Sequence, residues 1–427
     1  MKQLIFIWII ATILLVYGGL YYSLALKFPQ LQLKTIIKSL KVKTTSGIST
    51  KSSLSMSLAA RIGVGSLSGV ALAIYYGGPG SIFWIWIVGI VCSVNTFVEC
   101  YLGLKYQSID SDNVEGGPAF YILKGLNNKM LSKIYAIAVI ITYIVGFISI
   151  QSNTIVVALT NYTNLRQVTI GLLLVLLVSL SIRRGLKRIS EITEKIITCI
   201  TIIYVCMIMF VFFKYLNIIP NILGIILKSA FGIRPFSGGI LSTLLIGIQR
   251  GVFSTESGLG TSSIASSCSC TKDKLSICFS QVLGIYFTVF VISTSTAIMI
   301  LTSDYTNQVF ENINGIELTQ YAFSYHMGVF GIVILVISVI LFAYSTIIAG
   351  YYYGESNMNF LLKKRKYLVL LRLFTLIVVF LGSIVKPNFL WNVVDFLIAI
   401  LAIINMYSIL RLSKEVKHDY QKLGNLI

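Results

Sequence analysis

Arg61-Ile62-Gly63-Val64-Gly65-Ser66-Leu67-Ser68-Gly69 interrupts an otherwise apolar stretch running over residues 54–76. Three glycines and two serines in nine residues are poor helix material. A Gly in a helix interior costs about 1 kcal/mol relative to Ala. A second stretch has the same character: Arg250-Gly251-Val252-Phe253-Ser254-Thr255-Glu256-Ser257-Gly258-Leu259-Gly260, within residues 237–261. Each opens on Arg and has Gly eight residues later (Gly69, Gly258), and the two openings lie 189 residues apart. In lipid, unwound backbone is tolerated only where it is buried in protein or lines a cavity. The plainer reading is a pair of small-residue packing helices. Such packing does not call for Arg and Glu beside the glycines.

The composition around these stretches is that of a membrane protein. The 427 residues are 56% hydrophobic and 11% charged, with mean hydropathy +0.87. Soluble domains carry about 25% charged residues. A soluble enzyme, a disordered chain and a coiled coil are thereby excluded. Apolar windows of spanning length occur at 4–26, 54–76, 80–104, 132–159, 167–182, 194–217, 237–261, 276–302, 327–356, 367–385 and 389–411. The first is too long for a signal peptide and lacks a clean cleavage site, so it reads as a retained helix. The expectation is an all-α polytopic membrane protein with eleven transmembrane helices. No soluble domain fits between them.

Basic residues set the orientation. With the N-terminus outside, 25 of the 34 Lys and Arg fall inside and six outside, while Arg61, Arg250 and Arg372 lie within spans. The inner groups include Lys27 to Lys51 (Lys43 among them), Arg183 to Lys195 (with Arg184), Lys363 to Lys366 and Arg411 to Lys422. The outer group includes Arg234, and the loop 303–326 holds Asp304, Glu311 and Glu317 without Lys or Arg. This predicts N-terminus outside and C-terminus cytoplasmic. The two interrupted spans are the second and the seventh, and an odd offset inverts topology. Interrupted helices at matching places in inverted halves point to a transporter binding site.

The chemistry of such a break is specific. Freed N–H groups at one half-helix end suit a carboxylate, and freed carbonyls at the other suit an ammonium or Na⁺. Two crossing breaks can therefore grip an amino-acid zwitterion without a charged side chain. Glu99, Glu256, Glu355 and Asp395 are costly within lipid and are functional candidates, with Arg61 and Arg250 as partners. Structural ion pairing is the plainer role for each. Ser345-Thr346 places adjacent hydroxyls in an apolar helix, either bonded back to its carbonyls or serving a cation. With only His326 and His418, no metal-ligand spacing and no nucleophile elbow, an enzyme is not expected. The absence of a Gly-Lys-Ser/Thr signature argues against ATP-driven transport. The seven Cys imply no disulfide framework, and Cys268-Ser269-Cys270 reads as the inner end of the second broken helix and its loop.

These residues resemble the alanine or glycine:cation symporters, sodium-coupled amino-acid transporters with a LeuT-like fold. The resemblance is carried by Arg61 to Ile74 followed by Gly77-Gly78-Pro79-Gly80, by Gly116-Gly117-Pro118, by Gln151-Ser152-Asn153 and by Arg250 to Gly260. It continues through Phe342-Ala343-Tyr344-Ser345-Thr346, Tyr351 to Glu355 and Trp391-Asn392-Val393-Val394-Asp395. It covers about residues 15–412. It implies a 5+5 inverted repeat preceded by one extra N-terminal helix. The divisions are then 1–52 (extra helix and basic loop), 53–236 (first repeat), 237–412 (second repeat) and 413–427 (short tail). It also implies Na⁺, with H⁺ as an alternative coupling ion, held by carbonyls of Ala59, Ile62 and Phe342 and hydroxyls of Ser345 and Thr346. The substrate carboxylate would meet the N–H groups of Gly63, Val64 and Gly65. The ammonium would meet carbonyls of Phe253 and Ser254, with Gln151, Thr346 and Gly350 nearby. The expected setting is a bacterial plasma membrane, with a small amino acid as partner, no nucleic acid or nucleotide, and a state compatible with a monomer.

The chain departs from the family pattern at several places. Gly-Thr-Gly-Asn is Gly63-Val64-Gly65-Ser66, and Ser-Asn-Glu-Ala is Ser254-Thr255-Glu256-Ser257. An Asp is Thr288, a Pro is Ile404, and a Trp is Gly350, one helical turn after Thr346. Hydrogen in place of an indole leaves room for a larger side chain than that of alanine or glycine. The alternative is a non-transporting amino-acid sensor or a degenerate transporter on the same scaffold.

Overall fold

The computed structural model describes residues 2–41, 44–110, 113–183, 185–232, 239–304 and 315–424. Lys43, Arg184, Arg234, Glu311 and the 236/237 division fall outside these residues. The described chain is mostly helical. Eight of its helices are long and apolar enough to cross a membrane: Gln3–Ala25, Ser81–Lys105, Lys129–Thr160, Gly185–Lys214, Lys274–Leu301, Ile316–Leu361, Arg365–Ile384 and Pro387–Arg411. A ninth is formed if Thr50–Arg61 and Gly65–Gly77, bent by 48° at their junction, count as one span. Gln167–Ile182, Ile219–Phe231 and Gly239–Thr255 are shorter apolar helices.

Local chemistry sets the helix starts. Ser49, Asn128 and Asp273 accept hydrogen bonds from the backbone N–H three residues on, at 3.0, 2.9 and 3.1 Å, the usual N-cap arrangement. Pro387 opens the last long helix, where its missing N–H costs nothing. Apolar side chains such as Leu172, Leu176 and Leu180 stay exposed along one flank of Gln167–Ile182. In a membrane that flank meets acyl chains rather than water.

The Ser413–Gly424 helix is tied back onto the end of Ser81–Lys105. Glu415 and Asp419, one turn apart, both pair with Lys105. Tyr106 donates to Glu415 at 2.7 Å and Tyr101 to Asp419 at 3.0 Å. Partial burial pushes the Asp419 carboxyl up. The hydrogen bonds from Lys105 and Tyr101, with the Lys105 charge, outweigh it and hold that carboxyl below the ordinary carboxylate range. A depressed carboxylate contributes above its unfolded pKa, and the contribution disappears as acid protonates the folded form. Tail docking is therefore complete at neutral pH and released in acid. At neutral pH the Glu415→Gln/Asp419→Asn variant should expose the tail to protease several times faster than wild type. Equal cleavage rates would show that the charges do not hold it.

Candidate substrate and cation site

The two Gly-rich stretches are both broken helices, and the breaks are narrower than their composition suggests. The first helix stops at Arg61 and restarts at Gly65 with a wide π turn over Gly65–Gly69. Gly65, Ser66 and Leu67 are therefore helical rather than unwound, and only 62–64 lie between the halves. The second helix runs to Thr255 and restarts at Thr261. Across 256–260 the chain turns through positive φ at Glu256 (54°), Gly258 (83°) and Gly260 (86°). A side chain at positive φ costs about 1–2 kcal/mol, so Glu256 needs a compensating bond. Its carboxylate accepts from the Thr261 hydroxyl at 2.9 Å, and Tyr143 donates to that hydroxyl at 3.1 Å.

The halves run antiparallel. On one side of the breaks, Gly65–Gly77 packs on Gly239–Thr255, with the Thr243 hydroxyl donating to the Gly77 carbonyl at 2.9 Å. On the other side, Thr50–Arg61 packs on Thr261–Ser266, with Ser53 donating to the Ala265 carbonyl at 3.1 Å. There the segments before and after the paired halves form a two-strand ladder, Ser46–Gly47 against Ser269–Cys270. Cys268-Ser269-Cys270 thus sits where its sequence placed it, at the end of the second broken helix. All seven Cys are free thiols.

Between the breaks the backbones touch. A Cβ at Gly65 would lie 2.6 Å from the Phe253 ring and 3.3 Å from the Ser254 Cα. A Cβ at Gly63 would meet the Thr346 hydroxyl and both terminal atoms of Gln151, the latter at 2.8 and 2.9 Å. Gln151 accepts from the Val64 N–H at 3.1 Å, so one donor of the first break is capped by this side chain. Gly63, Val64, Gly65, Gln151, Phe253, Ser254 and Thr346 thus converge on one buried locus. Gly350 is not brought to it in the same way: its Cβ position lies 3.3 Å from the Tyr143 ring and 3.8 Å from Ile148.

Beside this locus lies an oxygen cluster. The Thr346 hydroxyl is 2.6 Å from the Ala59 carbonyl and 2.9 Å from that of Phe342. The Ser345 hydroxyl is 2.8 Å from the same Phe342 carbonyl. Ile62 caps the end of the first half-helix, next to Ala59. These uncharged oxygens suit a hard monovalent cation that must also leave. Both hydroxyls also make the back-bonds to helix carbonyls that were the plainer reading.

The six charged candidates separate into five arrangements, of which Glu256 with Thr261 is described above. Arg250 pairs with Asp395, and its guanidinium lies 4.8 Å from the Trp391 ring and 6.0 Å from that of Phe253. This pair borders a cavity of about 540 Å³ that also touches Tyr76 and Asn392. Glu355 pairs with Arg372 at 3.2 Å, not with Arg61 or Arg250. Arg61 has no carboxylate within ion-pair distance among the described residues. It donates to the Gln281 carbonyl at 3.0 Å and the Ser262 hydroxyl at 2.5 Å. Glu99 accepts from Asn405 at 2.6 Å, and Asn405 also donates to the Gly258 carbonyl of the second break at 2.9 Å. These bonds reach across helices distant in sequence, which explains why reading by charge alone mispaired Arg61.

An aromatic stack was not anticipated. Tyr143, Phe147 and Phe253 lie face to face, with centroids 4.6 and 4.9 Å apart, and Trp391 tilts onto Phe253 at 5.1 Å. Trp391, at the end of the stack, also lines the Arg250 cavity. Its signal was present in the sequence, since 143, 147 and 151 share one helix face.

Two interrupted antiparallel helices around a buried oxygen-rich locus define a cation-coupled, multi-pass membrane transporter. The fold resembles that of a Na⁺-coupled sialic acid symporter in a substrate-bound outward-open state, with 95% of this chain covering 82% of that one at TM-score 0.51 and 11% identity. The chain belongs to the sodium:alanine symporter family, which it matches over residues 1–424. It is 35% identical to a probable sodium/glutamine symporter of Bacillus subtilis, over 95% of this chain and 85% of that one. It is 32% identical to an amino-acid carrier protein of the same organism, over 98% and 90%. It is 29% identical to a sodium/proton-dependent alanine carrier of a Bacillus species, over 86% of each. Sodium-coupled amino-acid transport is the activity of this family.

Proposed function

We propose that this chain carries a neutral amino acid, larger than alanine or glycine, into a bacterial cell together with Na⁺. The observation that carries the reading is the meeting of the two breaks at Gly63, Gly65, Phe253 and Ser254, beside the Ala59, Phe342, Ser345 and Thr346 oxygens. Na⁺ is held by those oxygens and the Ile62 carbonyl. The substrate carboxylate meets N–H groups around Gly63, Val64 and Gly65, and Gln151 yields the Val64 N–H as it enters. The ammonium meets carbonyls of Phe253 and Ser254. Arg250 and Asp395 form the outer gate above Phe253. Arg61, Glu99 and Glu256 brace the inner halves of the broken helices, and Glu355 braces the inner end of its own.

Eleven spans follow when Gln167–Ile182, the bent pair and Gly239–Thr255 with its continuation join the eight long helices. The proposed order is one extra helix within 1–52, repeats over 53–236 and 237–412, and a cytoplasmic tail over 413–427. The N-terminus lies outside. The antiparallel halves support the inverted repeat, and the 25-to-6 division of basic residues supports the orientation.

Gly350 carries the substrate-size argument, and the relative named a sodium/glutamine symporter favours a side chain of that class. A Cβ at 350 would meet Tyr143 at 3.3 Å and Ile148 at 3.8 Å, so an indole there acts on substrate size by pressing on Tyr143 and the stack it forms with Phe147. In proteoliposomes with an inward Na⁺ gradient, wild type should take up labelled glutamine or another medium-sized neutral amino acid in preference to alanine. Gly350→Trp should reverse that preference by about tenfold, equivalent to about 1.4 kcal/mol of discrimination. An unchanged size profile overturns the assignment of Gly350.

A further inference from the structure

A second cavity lies away from the breaks, at the end of a helix long and apolar enough to span a membrane. It has a volume of about 440 Å³ and sits where Ile316–Leu361 turns into Arg365–Ile384 through a three-residue loop. Lys124, Lys363, Lys364 and Arg365 line it, with Glu115 as the one carboxylate among its described lining residues. Glu115 accepts from Asn359 at 3.1 Å. The Lys124 ammonium holds the Tyr106 carbonyl at 3.1 Å and lies over the Phe120 ring. The remaining three cations are consecutive and exposed.

Two further features act on the same cavity. Arg365–Ile384 begins there with no acidic residue in its first turn and no side-chain cap on its N-terminal N–H groups. Basic residues at a helix N-terminus oppose the helix dipole, so this start is unfavourable by itself and an anion beside it would relieve it. The cavity is also amphipathic. Phe120, Leu123, Phe360 and Leu368 form its apolar wall, with the two Phe rings 5.0 Å apart. Val369, Leu370 and Leu373 are exposed further along the same helix. A free phosphate needs the cations only. A phospholipid uses both parts, its phosphate on the cations and its glycerol and acyl carbons on the wall.

We propose that this cavity binds the headgroup of an anionic phospholipid. Basic juxtamembrane clusters attract anionic lipid, each charge adding to the attraction, and basic pockets between helices seat such headgroups. The inference does not depend on which amino acid is carried or on which side the termini lie, because the cavity is at a helix end in either orientation.

The test is titration of the purified full chain in neutral detergent with short-chain phosphatidylglycerol or phosphatidylcholine, read by native mass spectrometry. Wild type should bind phosphatidylglycerol at least tenfold more tightly. Lys363→Gln/Lys364→Gln/Arg365→Gln should lose about a hundredfold for phosphatidylglycerol only. Lys34→Gln/Lys38→Gln/Lys41→Gln, which removes as many charges elsewhere, should keep it. If the first triple variant does not fold, Lys364→Glu alone should cost about thirtyfold. Equal affinity for the two lipids, or equal loss in the control variant, would reduce the cluster to a topology signal and overturn the proposal. Displacement of phosphatidylglycerol by millimolar inorganic phosphate would overturn the lipid source and leave a free-phosphate site.

Discussion

Gly63→Ala is expected to lower Na⁺-driven uptake by up to about a hundredfold while leaving the protein folded. The added carbon would lie 2.8 Å from Nε2 and 2.9 Å from Oε1 of Gln151, and on the Thr346 hydroxyl. Neither neighbour yields without loss. Thr346 is held by the Ala59 and Phe342 carbonyls, and Gln151 by the Val64 N–H. Inserting a methyl into such a site costs about 1–3 kcal/mol, and 2.7 kcal/mol is a hundredfold in rate. The same carbon disturbs both the proposed carboxylate pocket and the cation oxygens, so substrate and Na⁺ affinity should fall together. Uptake measured beside size-exclusion behaviour and helix content checks this. Near-normal uptake by the variant would mean that Gly63 does not border the transported species.

Asp395→Ala should cost stability as well as transport. It strands the Arg250 guanidinium, which is buried beneath the Trp391 and Phe253 rings. Removing one partner of a buried ion pair typically costs about 3–5 kcal/mol, because the other charge is left uncompensated. Arg250→Leu/Asp395→Leu removes both charges and should recover most of that stability. Uptake should remain low in the double variant, because the proposed gate has lost its closing pair. Thermal unfolding in detergent, read with and without the second substitution, separates the two effects. A single variant as stable as wild type would show that the pair contributes nothing.

The broken helices were legible because Gly and Ser at high density, flanked by Arg, have no ordinary place in a lipid-facing helix. Their exact limits were not. Gly65 to Gly69 look unwound by composition, yet they form a wide helical turn, since their backbone can bond to itself five residues on. The four acids and two arginines were legible as candidates, and Arg250 as a partner for one of them, Asp395, while the other partners were not. Gln281 and Asn405, which hold Arg61 and Glu99, are uncharged and stand out in no composition scan. Lys105 meets Glu415 and Asp419 more than 300 residues away, a contact that only packing creates. Gly350 reads as emptied space in the sequence, and the Tyr143 ring against it appears only in three dimensions.

Electrogenic current across proteoliposomes on a solid support tests the central claim most directly. A neutral amino acid entering with Na⁺ moves net positive charge inward. A current should therefore appear when glutamine or a similar amino acid is added in Na⁺ buffer. It should vanish when choline replaces Na⁺ at the same pH, and in Thr346→Val, which deletes the hydroxyl facing the Ala59 carbonyl. A current of equal size in choline, or none in either buffer from folded protein, would contradict sodium-coupled symport through this site.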